Sequence, residues 1–141
     1  MSGSADPFLA QIDSFITLSR SRADAVYQAT VLDALARVKE LTPVQTGNLR
    51  ANWTVIKEGD AMPLPGRGEP AELVVERLKL GDVAIITNPV IYARRIEFGF
   101  VGEDSLGRYY NQQGRGMMQQ TISEMPQIAA RAQARITTYE V

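Results

Sequence analysis

The chain has 141 residues with fifteen basic and sixteen acidic side chains, a net charge of −1 and 45% hydrophobic residues. This length and composition predict one globular domain, residues 1–141, with its own core. The chain contains no cysteine and no histidine, which excludes disulfides, thiol nucleophiles, Cys/His zinc sites and a histidine general base. A net charge near zero gives no global attraction to nucleic acid, so only a local basic patch could bind it.

The N-terminal segment, residues 1–20, predicts a helix. Asp6 and Pro7 are typical of a helix start, and Phe8, Ile12 and Phe15 then follow one helical stripe. The segment lacks a basic region followed by an apolar core, so we expect no secretory signal. No apolar run approaches the ~18 residues of a membrane span, so we expect no membrane association.

A second, longer helix is predicted from Arg22 to Leu41, because apolar residues recur there at helical spacing. The serines at 19 and 21 are expected to break or bend the chain between the two helices. Pro43 disfavours helical geometry in the residue before it and should end the second helix.

The stretch TPVQTGNLRANWTV, residues 42–55, predicts a corner between a helix and a strand. Thr46 is expected to cap one helical turn that runs through Arg50. The residues from Ala51 to Val55 then alternate as in a strand, and this places Trp53 in the core.

Residues 58–70 contain three prolines and three glycines and predict a long surface loop. Residues 71–80 fit a short helix, which we prefer to the alternative of a strand, and Gly81 lies just past its end. The run DVAIIT, Asp82 to Thr87, predicts a strand that is buried on both faces.

The last third of the chain predicts two helices around a glycine-rich segment. Asn88 and Pro89 repeat the helix-start pattern, and a short helix should run from Val90 to Phe98. Residues 99–116 read as a second long loop or a loose hairpin. A final helix from Met117 to Tyr139 should be kinked by Pro126, or divided by it into two segments.

These elements predict an α+β fold with long N-terminal helices, a small antiparallel or mixed sheet and a kinked C-terminal helix. The chain shows no catalytic constellation, cofactor motif or metal-ligand spacing, so we expect no enzyme activity, no cofactor and no metal. Glu97 should form a surface ion pair with Arg94 or Arg95. Asp82 fits a turn, and Asp104 reads as a solvated loop charge without a partner.

Arginines and tyrosines interleave in the segment at 108–115, as they do in proteins that bind single-stranded nucleic acid. The same residue types are enriched at protein interfaces, and we favour that interpretation. Together with two arginines of the preceding helix, the candidate interface residues are Arg94, Arg95, Arg108, Tyr109, Tyr110 and Arg115.

Two segments together, TPVQTGNLRANW and GDVAIITNPVIYARRIEFGF, resemble the gene-product-ten-like tail-component family of tailed bacteriophages. The family's first motif is Pro-x-Asp-Thr-Gly-x-x-Arg followed by a tryptophan strand. Its second is Gly-Asp, a strand ending Ile-Thr-Asn, then Pro-Tyr-Ala and an acidic-aromatic-Gly end. The resemblance spans roughly residues 22–136, and GRGMMQQTISEM is similar to the start of the family's last helix. The matching residues are Pro43, Thr46, Gly47, Arg50, Trp53, Gly81, Asp82, Ile86, Thr87, Asn88, Tyr92, Ala93, Glu97 and Gly99.

The chain departs from the family pattern at Gln45, where the family has aspartate, and the N-terminal segment and residues 100–116 do not align. The resemblance implies a structural virion protein at the head–tail junction, a tail-completion or neck subunit similar in role to the minor tail protein Z of lambda-type phages. It also implies a ring, expected to be a hexamer, assembled in the host cytoplasm. Its partners would be the terminator, stopper and tail-tube proteins, with DNA passing through the central channel.

Three features suit the contacts of such a ring: the strand at 82–87, the two long loops, and the apolar N-terminal helix. A closed ring needs a heterologous interface. Three other functions stay open: a tail-terminator ring, a small nucleic-acid-binding protein that uses the Tyr/Arg segment and, least favoured, an enzyme with an unrecognised carboxylate site.

Overall fold

The computed structural model describes residues 5–44 and 47–139 and has an α+β fold, as the sequence predicted. Five helices and four strands lie in these ranges. The helices are α1 (Ala5–Leu41), α2 (Gly47–Ala51), α3 (Ala71–Glu76), α4 (Ala93–Phe98) and α5 (Met117–Tyr139). The strands are β1 (Thr54–Lys57), β2 (Ala84–Thr87), β3 (Gly99–Glu103) and β4 (Tyr109–Gln113).

The N-terminal third of the chain is one helix rather than two. α1 runs through the serines at 19 and 21 without interruption, so the predicted break is wrong. Serine costs a helix interior only about 0.5 kcal/mol relative to alanine, and two such residues do not end a helix that is stabilised further along. α1 is about 55 Å long at 1.5 Å per residue. The predicted cap at Asp6 lies outside the described side chains.

Helix α5 runs antiparallel to the C-terminal half of α1. Arg37 donates to both carboxylate oxygens of Glu124, at 2.9 and 3.0 Å, and Arg135 donates to Asp33 at 3.1 Å. The partner numbers rise on α5 as they fall on α1, which fixes the antiparallel direction. Since Asp33 already pairs near the end of α5, the first half of α1 extends beyond this helix pair.

Helix α5 continues through Pro126, so the alternative that a second helical segment begins there is wrong. Pro126 removes one donor from the helix ladder. It lies on the exposed side of α5, and so does Ile122, whose carbonyl loses its partner. Water can reach this side of the helix, which makes the missing hydrogen bond tolerable.

The core lies where α1, α5 and the first sheet meet. Val38, Leu49, Leu78 and Met117 are fully buried. Trp53 joins them, as predicted, and its indole N–H donates to the Thr42 hydroxyl at 2.8 Å. The only polar atom of the tryptophan is therefore satisfied inside the core.

Strands β1 and β2 form an antiparallel pair in which Val55 lies opposite Ile86 and Ile56 opposite Ile85. Val55 and Ile86 face the core, whereas Ile85 is 39% exposed on the other face. The prediction of burial on both faces is therefore wrong for the described chain. β1 also begins three residues later than predicted, because α2 extends to Ala51.

The other observed element boundaries agree with the predicted ones or differ from them by a few residues. Residues 58–70 contain no helix or strand, as predicted, and residues 71–76 are helical rather than extended. α4 begins at Ala93, three residues after the predicted start. The segment at 99–116 is a β-hairpin, β3–β4, so its description as a long loop is wrong and the hairpin alternative is confirmed.

Candidate interaction surface

The β3–β4 hairpin is organised by Asp104 at its turn. The Asp104 carbonyl accepts the Gly107 N–H at 3.0 Å, which closes a four-residue turn. The Asp104 carboxylate accepts the backbone N–H groups of Leu106 and Arg108, both at 2.9 Å, and also contacts the Tyr110 hydroxyl at 3.2 Å. The expectation that Asp104 is a solvated charge without a partner is wrong.

Arg108 completes this network, because its guanidinium Nε donates to Asp104 at 2.6 Å. The backbone N–H of Arg108 first, and then its side chain, lower the pKa of Asp104 from its ordinary value. Hydrogen bonds to the ionised form favour that form, although partial burial opposes the shift. The turn is therefore held by a carboxylate that stays charged at neutral pH.

One face of the hairpin, together with the end of α4, carries a row in which two aromatic rings lie between two arginines. The Arg95 guanidinium lies 4.0 Å from the centroid of the Phe100 ring. The Phe100 and Tyr110 rings are 6.2 Å apart and tilted by 50°, within the usual range for aromatic pairs. The Tyr110 hydroxyl donates to the Asp104 carboxylate, which also accepts a hydrogen bond from Arg108. We call these four residues, Arg95, Phe100, Tyr110 and Arg108, the hairpin row.

The two neighbouring tyrosines point to opposite faces of the hairpin, because successive strand residues alternate. Tyr110 belongs to the hairpin row, whereas Tyr109 lies on the other face with Val101. Both Tyr109 and Val101 are about two-thirds exposed. The structure therefore divides the predicted Tyr/Arg cluster between two faces.

Arg94 and Arg115 lie outside the hairpin row. The Arg94 guanidinium lies 5.8 Å from the centroid of the Phe98 ring. Phe98 and Arg115 line a hollow of about 650 Å3 between the hairpin base and α5. The six predicted residues thus form three sets: Arg95, Tyr110 and Arg108 together, Arg94 and Arg115 around Phe98, and Tyr109 alone on the outer face.

Glu97 fastens the hairpin base to α5. Its carboxylate accepts the N–H groups of Met118 and Gln119, at 2.8 and 3.1 Å, in the first turn of α5. A carboxylate at a helix N-terminus satisfies unpaired donors and interacts favourably with the helix dipole. The prediction that Glu97 pairs with Arg94 or Arg95 is wrong, because the carboxylate is already engaged on the other side.

Two glycines make this close approach of backbones possible. A Cβ atom on Gly99 would lie 2.5 Å from the Gln112 carbonyl oxygen, and one on Gly114 would lie 2.5 Å from the Glu97 carbonyl oxygen. Gly99 also has a φ of 83°, which disfavours other residues. The hairpin therefore leaves α4 at a joint that only glycine fits.

The two segments that carry the family resemblance contact each other. β1 of the first segment pairs with β2 of the second. The Asn88 side chain donates to the Leu49 carbonyl at 2.7 Å, and the Asn48 side chain donates to the Tyr92 hydroxyl at 3.2 Å. Residues that are about 40 positions apart in sequence thus form one structural unit beside the core. The Thr46 cap lies outside the described residues.

Sequence reasoning missed Phe100, Asp104 and the capping role of Glu97. A signal for the turn was present, because an aspartate followed three residues later by glycine is typical of a type I turn. The contacts of Phe100 and Glu97 join separate elements, so no local pattern could have revealed them.

In the described ranges, 5–44 and 47–139, no group of three or more acidic residues lies close enough to hold a metal ion. No helix in the described part of the chain is long and apolar enough to cross a membrane. Comparison of the chain with protein-family models, with curated proteins and with solved structures gives no match.

Proposed function

We propose that this chain is a structural subunit of the neck of a tailed bacteriophage, a tail-completion protein that forms a ring and helps join the tail to the filled head. The observation that carries the proposal is the junction of the two resembling segments, through β1–β2, Asn88 and Asn48. A two-part signature whose halves contact each other is what a family scaffold would require. The protein would be assembled in the host cytoplasm and would reside in the virion.

The hairpin is the surface that we assign to neighbouring subunits or to other neck and tail proteins. It projects from the Gly99–Gly114 joint and is ordered by Asp104. Its two faces differ, with the hairpin row on one side and Tyr109 on the other. Arginine and tyrosine are the residue types that most often dominate binding energy at interfaces. Two unlike faces suit a ring, in which each subunit contacts its two neighbours differently.

Nucleic-acid binding is the weaker alternative for the same surface. Arg108 is already paired with Asp104, so part of its charge is neutralised before any phosphate arrives. The Arg95 guanidinium lies on the Phe100 ring, so one of its faces is already covered. Binding to single-stranded DNA would weaken steeply with salt, and tight binding of that kind by the isolated subunit would favour the alternative.

Deletion of the gene from its phage, followed by electron microscopy of the lysate, tests the proposal. We expect filled heads beside finished but unattached tails, and restoration of virions by the wild-type gene supplied in trans. Tails of abnormal length would identify a terminator instead. Normal virions after deletion would reject any role in the neck.

Complementation by hairpin variants tests the assigned surface. Arg95→Ala with Tyr110→Ala should fail to restore virions, although the purified variant remains folded. The matched control is Arg131→Ala with Gln127→Ala, which changes two exposed residues of α5 outside the hairpin. Full restoration by the hairpin variant would remove the hairpin row from the interface and leave the neck assignment standing.

A further inference from the structure

The first half of α1 is helical but contacts little of the described chain. All sixteen residues from 7 to 22 are exposed. Large apolar side chains are frequent among them, and Phe8 and Phe15 are 63% and 71% exposed. The others are Leu9, Ile12, Ile16 and Leu18. A helix of this length that is not packed against anything is only marginally stable in water.

Five of these side chains lie on one side of the helix. At 100° per residue, they fall within an arc of about 120°, the width of the buried stripe of an ordinary packed helix. The opposite side carries Ser14, Thr17 and Ser21. We call the five residues Phe8, Leu9, Ile12, Phe15 and Ile16 the α1 stripe. An apolar stripe of this width is typical of a helix face that is buried against a partner.

The exposed area is large enough for a stable interface. The two phenylalanines and three aliphatic residues of the stripe leave on the order of 500 Å2 open, within the upper range for a monomer. Two such stripes facing each other would bury roughly 1,000 Å2, the lower limit for a specific protein interface.

The sizes of the side chains along the helix favour an antiparallel arrangement. The small residues Ser19 and Ala23 follow the large ones on the same side, beside an apolar hollow of about 480 Å3 that Leu80 also lines. In an antiparallel pair centred between Phe15 and Ile16, Phe8 of one copy lies over Ala23 of the other. The large side chains near the start of each helix therefore face the small side chains, Ser19 and Ala23, of the partner helix.

The charges favour the same arrangement. Asp13 and Arg20 lie on the same flank of the α1 stripe, seven residues apart, and neither forms an ion pair within the described part of the chain. In antiparallel helices the same flanks face each other, and the pair centred as above brings Asp13 of one copy within about 3 Å, along the axis, of Arg20 of the other. A parallel pair would bring opposite flanks together, so Asp13 would not face Arg20.

We propose that the α1 stripe binds the α1 stripe of a second copy of this chain, forming an antiparallel twofold dimer with its axis near Phe15 and Ile16. A twofold contact is isologous and cannot by itself generate a sixfold ring. The dimer is therefore a contact distinct from the hairpin interface, and it does not depend on the neck function. Failure of either proposal leaves the other untouched.

Sedimentation velocity of the full chain over micromolar to submillimolar concentrations gives the first test. The wild type should be a dimer. Phe8→Ser with Phe15→Ser should be a monomer, with a dissociation constant raised more than 100-fold and the fold of the domain retained, because both side chains are exposed. The matched control, Ile91→Ser with Ile122→Ser, changes exposed residues outside α1 and should stay dimeric.

A monomeric wild type, or a dimer that survives the stripe substitutions, would overturn the proposal. Co-flotation of a monomeric wild type with phosphatidylcholine vesicles, lost on substitution of Phe8 and Phe15, would show that lipid covers the stripe and would also overturn it.

A charge swap tests the antiparallel geometry. Asp13→Arg should raise the dissociation constant about tenfold, because two ion pairs per dimer become repulsive. Asp13→Arg with Arg20→Asp should restore the wild-type value. Since the chain has no cysteine, Ile16→Cys alone should form a disulfide-linked dimer on oxidation. Loss without restoration, together with no cross-link, would reject the antiparallel pairing.

Discussion

The two halves of α1 have the same secondary structure and opposite surroundings. In the C-terminal half, Leu35 and Val38 are buried against α5 and the first sheet. In the N-terminal half, from residue 7 to residue 22, every side chain is exposed. Both halves carry an apolar stripe. Helical periodicity therefore predicts that a face will be covered, but it does not say whether the covering partner belongs to the same chain.

The largest expected effect lies in the covered half. Trp53→Ala should lower the free energy of unfolding by about 3–5 kcal/mol, because it removes a large aromatic from the core cluster that also contains Val38. It also leaves the Thr42 hydroxyl without its indole donor. Urea denaturation followed by circular dichroism measures the loss. A stable, fully folded variant that fails only to assemble would show that Trp53 serves an interface instead.

A matched pair of substitutions compares the two halves directly. Leu35→Ala should cost about 2–4 kcal/mol, whereas Phe15→Ala should change the stability of the monomer by less than about 0.5 kcal/mol. Both measurements are made at a concentration where the chain is monomeric, so that dimerisation does not contribute. Equal losses would mean that the N-terminal half is packed within the same chain.

Much of the fold follows from local sequence. Pro43 does end a helix, the residues around Trp53 do turn the chain into the core, and the segment at 71–76 is helical. The errors arise where distant contacts decide. α1 continues past its serines, because their propensity cost is small, and Ile85 is exposed, because nothing in the described chain covers its face.

The candidate interaction surface was predictable in composition but not in arrangement. Arginine and tyrosine draw attention to the segment in the sequence, but alternation along β4 separates Tyr109 from Tyr110. Asp104 and Glu97 looked like surface charges, but each satisfies backbone donors that belong to a turn or to another helix. Residue type indicates what a side chain can bind, whereas the fold decides which group reaches it.

Weakening α5, the helix that covers the C-terminal half of α1, gives a smaller effect. Glu97→Ala should destabilise the protein by about 1 kcal/mol, because two N–H groups at the start of α5 lose their acceptor. Hydrogen exchange should become faster in α5 and in residues 23–41, with no change in residues 7–22. The control is Glu103→Ala, an exposed carboxylate of the hairpin. Equal effects of the two substitutions would argue against a capping role.

The smallest effect concerns the ion pair that joins the covered half of α1 to α5. Hydrogen bonds from Arg37 first, and then from Gln120, lower the pKa of Glu124 below its ordinary value of 4.5. A carboxylate whose pKa is lower in the folded state stabilises the fold above its unfolded pKa and loses that contribution as the pH falls through its folded value. The melting temperature of the wild type should therefore exceed that of Glu124→Gln at pH 7, and the two melting temperatures should converge as the pH falls below about 4.5.

Because the side chains of Arg37 and Glu124 are partly exposed, salt should reduce the difference at pH 7. A difference that stays constant down to pH 3 would mean that the lost packing of Glu124, rather than its charge, links the two helices.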